Sequence, residues 1–98
     1  MRKTSKQCVH EVVGGESYDY YPLGDHIVAA PGVCGGRPTF KYTRIEITGT
    51  LARLAAGEHI EDIVQRYRGR VSRAAIMEAV RLVTEQSLKT LPDLEPVG

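Results

Sequence analysis

The chain has 98 residues, a net formal charge of +1, no tryptophan, one phenylalanine and five tyrosines. That length suits one domain with a core of Ile, Val, Leu, Ala and some tyrosines, and small helix-rich cores of this kind are often completed by a second copy, so a homodimer is expected. Two cysteines exclude a disulfide scaffold and no apolar run approaches a membrane span; the basic start at Arg2, Lys3 and Lys6 lacks a secretory apolar region, which makes the cytoplasm the expected location.

Residues 1–16 are polar, end in Gly14-Gly15 and read as a loose arm with a short strand over Val9 to Val13. Tyr18 to Tyr21 suits a strand, Pro22-Leu23-Gly24-Asp25 is a turn signal, and Ile27 to Ala30 is a second short apolar strand. Gly35-Gly36 and Pro38 mark a tight loop. Phe40 to Ile47 looks like a third extended segment, with a bulge or twist expected near Thr43 because the apolar residues change parity there.

The helical signal follows. Thr48 or Thr50 can cap a helix over about 50–56, with Leu51, Leu54 and Ala55 on its apolar face and Gly57 as its stop. A second helix, about 59–67, places Ile60, Ile63, Val64 and Tyr67 at i, i+3, i+4 and i+7, with His59 as a weak cap. Ser72 is a good N-cap for a third helix over about 73–87, whose apolar face is Ala75, Ile76, Ala79, Val80 and Val83. Arg73, Met77, Arg81 and Thr84 occupy its opposite face. The tail, with Pro92 and Pro96, is expected to be irregular. The overall expectation is a mainly α fold with a small N-terminal β part, organised as an arm (1–25), a β-element plus three helices (26–88) and a tail (89–98).

Charge is segregated along this layout. From Pro31 to Ala56 there are four basic residues (Arg37, Lys41, Arg44, Arg53) against one acid, Glu46, and from Arg66 to Arg73 four arginines and no acid. Such clustering can give a nearly neutral protein a basic face. Three short helices joined by glycine-containing turns suit a helix-turn-helix reader of double-stranded DNA, with the third helix in the major groove. Arg68, Arg70 and Arg73 would then contact phosphates at its entrance, and Met77, Arg81 and Thr84 would lie toward base edges. In the competing reading Glu58, Glu61 or Asp62 neutralises these arginines, and the helices serve protein contact.

Other chemistry is thin. Cys8, His10, His26 and Cys34 lack zinc-knuckle spacing, so no metal is expected. Gly35-Gly36-Arg37 lacks the spacing and lysine of a phosphate loop, and reads as a turn fixed by Pro38 with Arg37 paired to a carboxylate. Lys41 and Arg44 either flank the DNA backbone or brace the helices, which leaves Arg37, Lys41 and Arg44 as candidate backbone or partner contacts. Thr43 is expected to hydrogen-bond locally to backbone. No nucleophile–base set or nucleotide loop stands out, so neither an enzyme nor a cofactor is expected.

Gly36-Arg37-Pro38, Lys41, Thr43-Arg44-Ile45, Leu54-Ala55-Ala56-Gly57, Ile60 to Ile63, Tyr67 and the stretch Ile76 to Val83 together resemble a bacterial and archaeal family of unknown function. Its pattern runs G-[RK]-P-x-x-K-G-T-R-I, then a helix ending in A-A-G, then a helix-turn-helix. The resemblance covers roughly residues 26–84. It implies a homeodomain-like DNA-binding protein and an antitoxin of the VapB type, with a PIN-like ribonuclease toxin as partner. Three positions depart from the pattern. Tyr42 stands where the family has glycine, which puts a positive-φ turn there in question. Arg68 replaces a proline, and Arg73-Ala74-Ala75 replaces an acidic helix start.

Overall fold

The structure, a computed structural model, describes residues 7–90. Four strands come first: β1 (Val9–Val13), β2 (Glu16–Pro22), β3 (Ile27–Ala29) and β4 (Pro38–Phe40). They form one antiparallel sheet in the order β1-β2-β3-β4. Three helices follow: α1 (Ile47–Ala55), α2 (Ile60–Arg66) and α3 (Arg73–Thr90). This overturns the expectation of a mainly α fold, because the fold is α+β, with a complete sheet preceding the helices.

The physical reason lies in the turns. Gly14 and Gly15 take φ of 60° and 83°, the two left-handed residues of a tight hairpin turn. They join β1 to β2 in a register that sets Val9 against Tyr20 and Glu11 against Tyr18. β2 then pairs with β3 through Tyr21 and Pro22, and β3 with β4 from Ile27–Phe40 to Ala29–Pro38. The extended signal over 40–47 is shorter than its sequence suggests. β4 ends at Phe40, the chain reverses over 41–43, and Thr39 bridges back to Glu46. The irregularity expected near Thr43 is therefore a tight turn.

One apolar cluster ties the layers together. Ile27 and Phe40 from the sheet pack with Ile47, Ile63, Val71, Ala75, Ile76 and Ala79. Leu51, Leu54, Ile60, Val64, Tyr67 and Leu82 pack around it, so most of each helix's apolar stripe faces this core, but Ala55 and Val83, expected on those stripes, are exposed and Leu82 packs instead. A smaller cluster, Tyr20, Val28 and Ala30, lies under the hairpin with Val9, Tyr18 and Val33.

The helix boundaries show which local signals govern. Ser72 Oγ accepts the Ala75 N–H at 3.1 Å, the cap expected of it. α1 starts earlier than the threonines suggest, behind Glu46, without a side-chain cap bond. Thr50 is buried inside α1, and its hydroxyl bonds the Tyr67 hydroxyl at 2.8 Å, so it joins α1 to the end of α2 rather than capping a helix. His59 stands at the cap position of α2 but makes no side-chain cap bond. Gly57, at φ 97°, stops α1 as expected. α3 continues to Thr90; the expected tail from 91 on, and the first six residues of the arm, lie outside the described residues.

A candidate nucleic-acid interface at the sheet–helix junction

Two exposed arginines flank Gly69 in the connection between α2 and α3. Arg68 itself takes φ 55° and Gly69 takes φ 81°, and the turn is closed by Arg68 N–H to Gln65 O and Arg70 N–H to Tyr67 O, both at 3.0 Å. A proline could not occupy position 68 in this turn, because its ring holds φ near −65°. Val71 is buried and anchors the connection to the core. The neighbouring Arg73 is exposed but paired with Glu61. Glu58 bridges Arg53 at 3.2 Å and Arg66 at 3.3 Å. The acids of α2 and its approach thus engage Arg53, Arg66 and Arg73, whereas among the described residues no carboxylate pairs with Arg44, Arg68, Arg70 or Arg81.

Met77, Arg81 and Thr84 are all exposed on α3, clear of the buried Ala75, Ile76 and Ala79. They follow Arg73 at the spacing of one helix face. Arg37 is placed differently. Its guanidinium grips Glu46 with two bonds, Nε to Oε1 at 3.0 Å and Nη2 to Oε2 at 3.2 Å. These bonds hold the Glu46 carboxyl below its ordinary range and push the Arg37 guanidinium up. Arg37 thus braces the approach to α1, the carboxylate pairing expected of it.

Lys41 and Arg44 sit around the turn after β4. Tyr42 takes φ 68°, so the positive-φ turn is present despite the missing glycine. Its N–H donates to the Tyr18 hydroxyl at 2.9 Å, and its own hydroxyl donates to Glu11 Oε1 at 2.8 Å. Tyr20 donates to the other oxygen of Glu11 at 2.7 Å. The bond from Tyr20, then that from Tyr42, lowers the Glu11 carboxyl, while the same Glu11 bond raises the Tyr20 phenol. Lys41 Nζ lies 5.2 Å from the Tyr20 ring centre and 5.1 Å from that of Tyr42, within cation–π range. Contact with Tyr20, above all, raises the lysine's affinity for its proton. Thr43 behaves as expected, donating to Phe40 O at 2.7 Å and accepting the Ile45 N–H at 3.0 Å.

These pieces meet in an open groove of about 960 Å³. Lys41, Tyr42, Thr43 and Arg44 come from the turn after β4, Arg70 from the α2–α3 connection, and Glu16, Ser17, Tyr18 and Asp19 from β2. Arg44 also lines a shallower hollow with Gly49, Arg53 and Tyr67. The structure therefore brings Arg44, Arg70 and Lys41 to one groove, with Arg68 in the same connection as Arg70. It leaves Arg37 in its ion pair.

Residues 27–82 match a protein family of unknown function, DUF433. The chain belongs to that family. No curated protein and no solved structure gives a match. The DUF433 segment begins at β3 and ends on α3, so the hairpin of β1 and β2 lies outside it.

One structural contact, between the DUF433 segment and the turn just before it, escapes sequence reasoning. Glu78 is nearly buried on α3, and its carboxylate accepts the Asp25 N–H at 2.8 Å and the His26 N–H at 2.6 Å. It thereby fixes the turn between β2 and β3 against the helix. The signal was its position: with Ala75, Ala79 and Leu82 it falls on one i, i+3, i+4, i+7 stripe, which aims a carboxylate at the core side. Beside it an apolar groove of about 660 Å³ runs between Pro22, Leu23, Ile27, Pro38, Ile47 and the Leu82–Val83 turn of α3. Among the described residues no cluster of three His, Cys, Asp or Glu side chains suits a metal ion. His10 instead pairs with Asp19 at 2.9 Å, and the Cys34 thiol donates to Arg44 O at 3.3 Å. Among the described residues no helix is long and apolar enough to cross a membrane.

Proposed function

We propose that this DUF433 protein is a small DNA-binding antitoxin or autoregulator, in which α2 and α3 act as a helix-turn-helix pair. The observation that carries this reading is the set of exposed, unpaired guanidinium groups: Arg68 and Arg70 in the connection that enters α3, and Arg44, which shares a groove with Arg70. Neighbouring acids already neutralise Arg53, Arg66 and Arg73, so Arg44, Arg68 and Arg70, with Arg81 further along α3, are left to meet phosphates. Met77, Arg81 and Thr84 then continue the same approach along α3 toward base edges. Arg73 enters as a contact only if phosphate displaces Glu61.

The test is binding to the protein's own promoter fragment across a salt series. The parent should lose affinity steeply with salt, and the double substitution of Arg68 and Arg70 by alanine should lower the slope of log K against log salt by about two phosphates' worth, roughly 1.8. Equal affinity and slope for the double variant would sink the phosphate-positioning role.

A second reading, binding of a PIN-like toxin or of a second copy without DNA, draws on the apolar groove between Leu23, Ile47 and Val83. Co-expression with the adjacent reading frame, followed by co-purification and sedimentation, separates the two. A monomer that captures no companion product would count against this second reading.

A further inference from the structure

The groove between the hairpin and the α2–α3 connection has a composition that phosphate contact alone does not explain. Its cations come from two distant segments, Lys41 and Arg44 on one side and Arg70 on the other. Its wall carries two tyrosines, Tyr18 and Tyr42, 5.5 Å apart ring centre to ring centre, with the buried Tyr20 ring 5.0 Å behind Tyr18. The same groove carries acids as well: Glu16 lies on the Tyr18 face of β2, while Asp19, on the opposite face, is held by His10. A surface built for a bare polyanion would exclude such acids. A ligand with an anionic end, a flat ring and amino donors would use all three features.

The wall is also rigid before any ligand arrives. Both Tyr20 and Tyr42 are tied by their hydroxyls to Glu11, and the Tyr18 hydroxyl holds the Tyr42 N–H. Thr43 locks the turn, and the Cys34 thiol holds the Arg44 carbonyl. Tyr42 remains 54% exposed, so its ring offers area that costs little side-chain entropy to cover. Lys41 is committed to the rings and shares the field of Glu11, which leaves Arg44 and Arg70 as the available forks.

We propose that this groove binds one nucleotide unit: its phosphate on Arg44 and Arg70, its base against the Tyr42 ring, and its base amino groups toward Glu16. The unit could be a free nucleotide or one residue of an unpaired nucleic-acid strand, and both present the same chemistry. The assignment stands apart from the reading of duplex DNA by α3, because the tyrosines and the acid belong to the hairpin and the turn after β4 and not to that helix.

The experiment is an amide chemical-shift titration of the full chain with four probes: inorganic phosphate, a nucleoside monophosphate, a short single-stranded oligonucleotide and a duplex. The nucleoside monophosphate should shift the amides of Tyr18, Tyr42, Arg44 and Arg70 at millimolar concentration and bind more tightly than phosphate. Arg44→Ala should weaken it about tenfold, the loss of one charge-assisted contact. Tyr42→Gly, which keeps the turn, should bring it down to the affinity of phosphate, whereas Arg66→Ala should leave it unchanged. Single strand binding more tightly than the monophosphate assigns the site to a strand; the reverse assigns it to a free nucleotide. Phosphate binding as well as the nucleotide, or an unaltered affinity in Arg44→Ala, overturns the proposal. Shifts confined to α3 with the duplex would overturn it while leaving the duplex reading intact.

Discussion

Gly24 and Glu78 are matched in space: a methyl group at Gly24 would lie 2.7 Å from Oε2 of Glu78, the oxygen that accepts the Asp25 N–H. Only a hydrogen fits between the β2–β3 turn and the carboxylate that pins it. The helix is thereby keyed to the sheet at one point, 52 residues away along the chain from its nearest bonded partner.

Gly24→Ala should destabilise the fold by about 1–3 kcal/mol, because a methyl group forces the carboxylate off its two N–H groups. Glu78→Ala should have a loss of about 2 kcal/mol from the two stranded donors. The double variant should lose clearly less than the sum, because the collision vanishes with the carboxylate. Urea midpoints of the four proteins measure this, and additive losses would contradict it.

Tyr42 adopts a conformation natural to glycine. Replacing it with alanine and with glycine removes the same ring contacts but leaves only alanine strained at φ 68°. Tyr42→Gly should therefore be more stable than Tyr42→Ala by about 1 kcal/mol, the reverse of the order at an ordinary site. Thermal or urea unfolding of the pair decides it.

Thr39 is fully buried, and its hydroxyl finds no hydrogen-bond partner. Thr39→Val replaces that hydroxyl with a methyl of similar size and should raise stability by roughly 1 kcal/mol. A lower urea midpoint in the valine variant would show that the hydroxyl is bonded in solution.

Acid should weaken the hairpin through Glu11 and the approach to α1 through Glu46. Both carboxyls are held below their unfolded value of 4.5, by Tyr20 first at Glu11 and by Arg37 first at Glu46. A depressed folded pKa gives stability that is present above the unfolded value and lost as pH falls through the folded one. Urea midpoints from pH 7 to pH 3 should therefore fall less steeply below 4.5 in Glu11→Gln than in the parent, so that the variant's deficit is largest at neutral pH and shrinks toward pH 3.

The helices were legible because their signal is local. Ile60, Ile63, Val64 and Tyr67 form a stripe that only one helix face satisfies, and Ser72 is a cap by its own chemistry. The sheet was harder because its pairing is set by turns. Gly14-Gly15 looks like the end of an arm until both glycines are read as the left-handed pair of a hairpin, which then dictates that Glu11 meets the tyrosines of β2. Of the candidate arginines, nothing in their spacing distinguishes Arg73, which Glu61 neutralises, from Arg70, which stays free; that depends on how α2 is rotated against α3. The groove was not legible at all, since Tyr18, Arg44 and Arg70 come together only through tertiary packing.

The Tyr42 turn ties the hairpin to the DUF433 segment. The hydroxyl that holds the Tyr42 N–H belongs to Tyr18, and the carboxylate that holds its phenol belongs to Glu11, both outside the DUF433 segment of 27–82. A glycine at that position would need neither. The hairpin and Tyr42 are thus coupled: without Tyr18 and Glu11 a tyrosine at φ 68° would lose the bonds that hold both ends of its residue, and glycine would be the residue best suited to the turn.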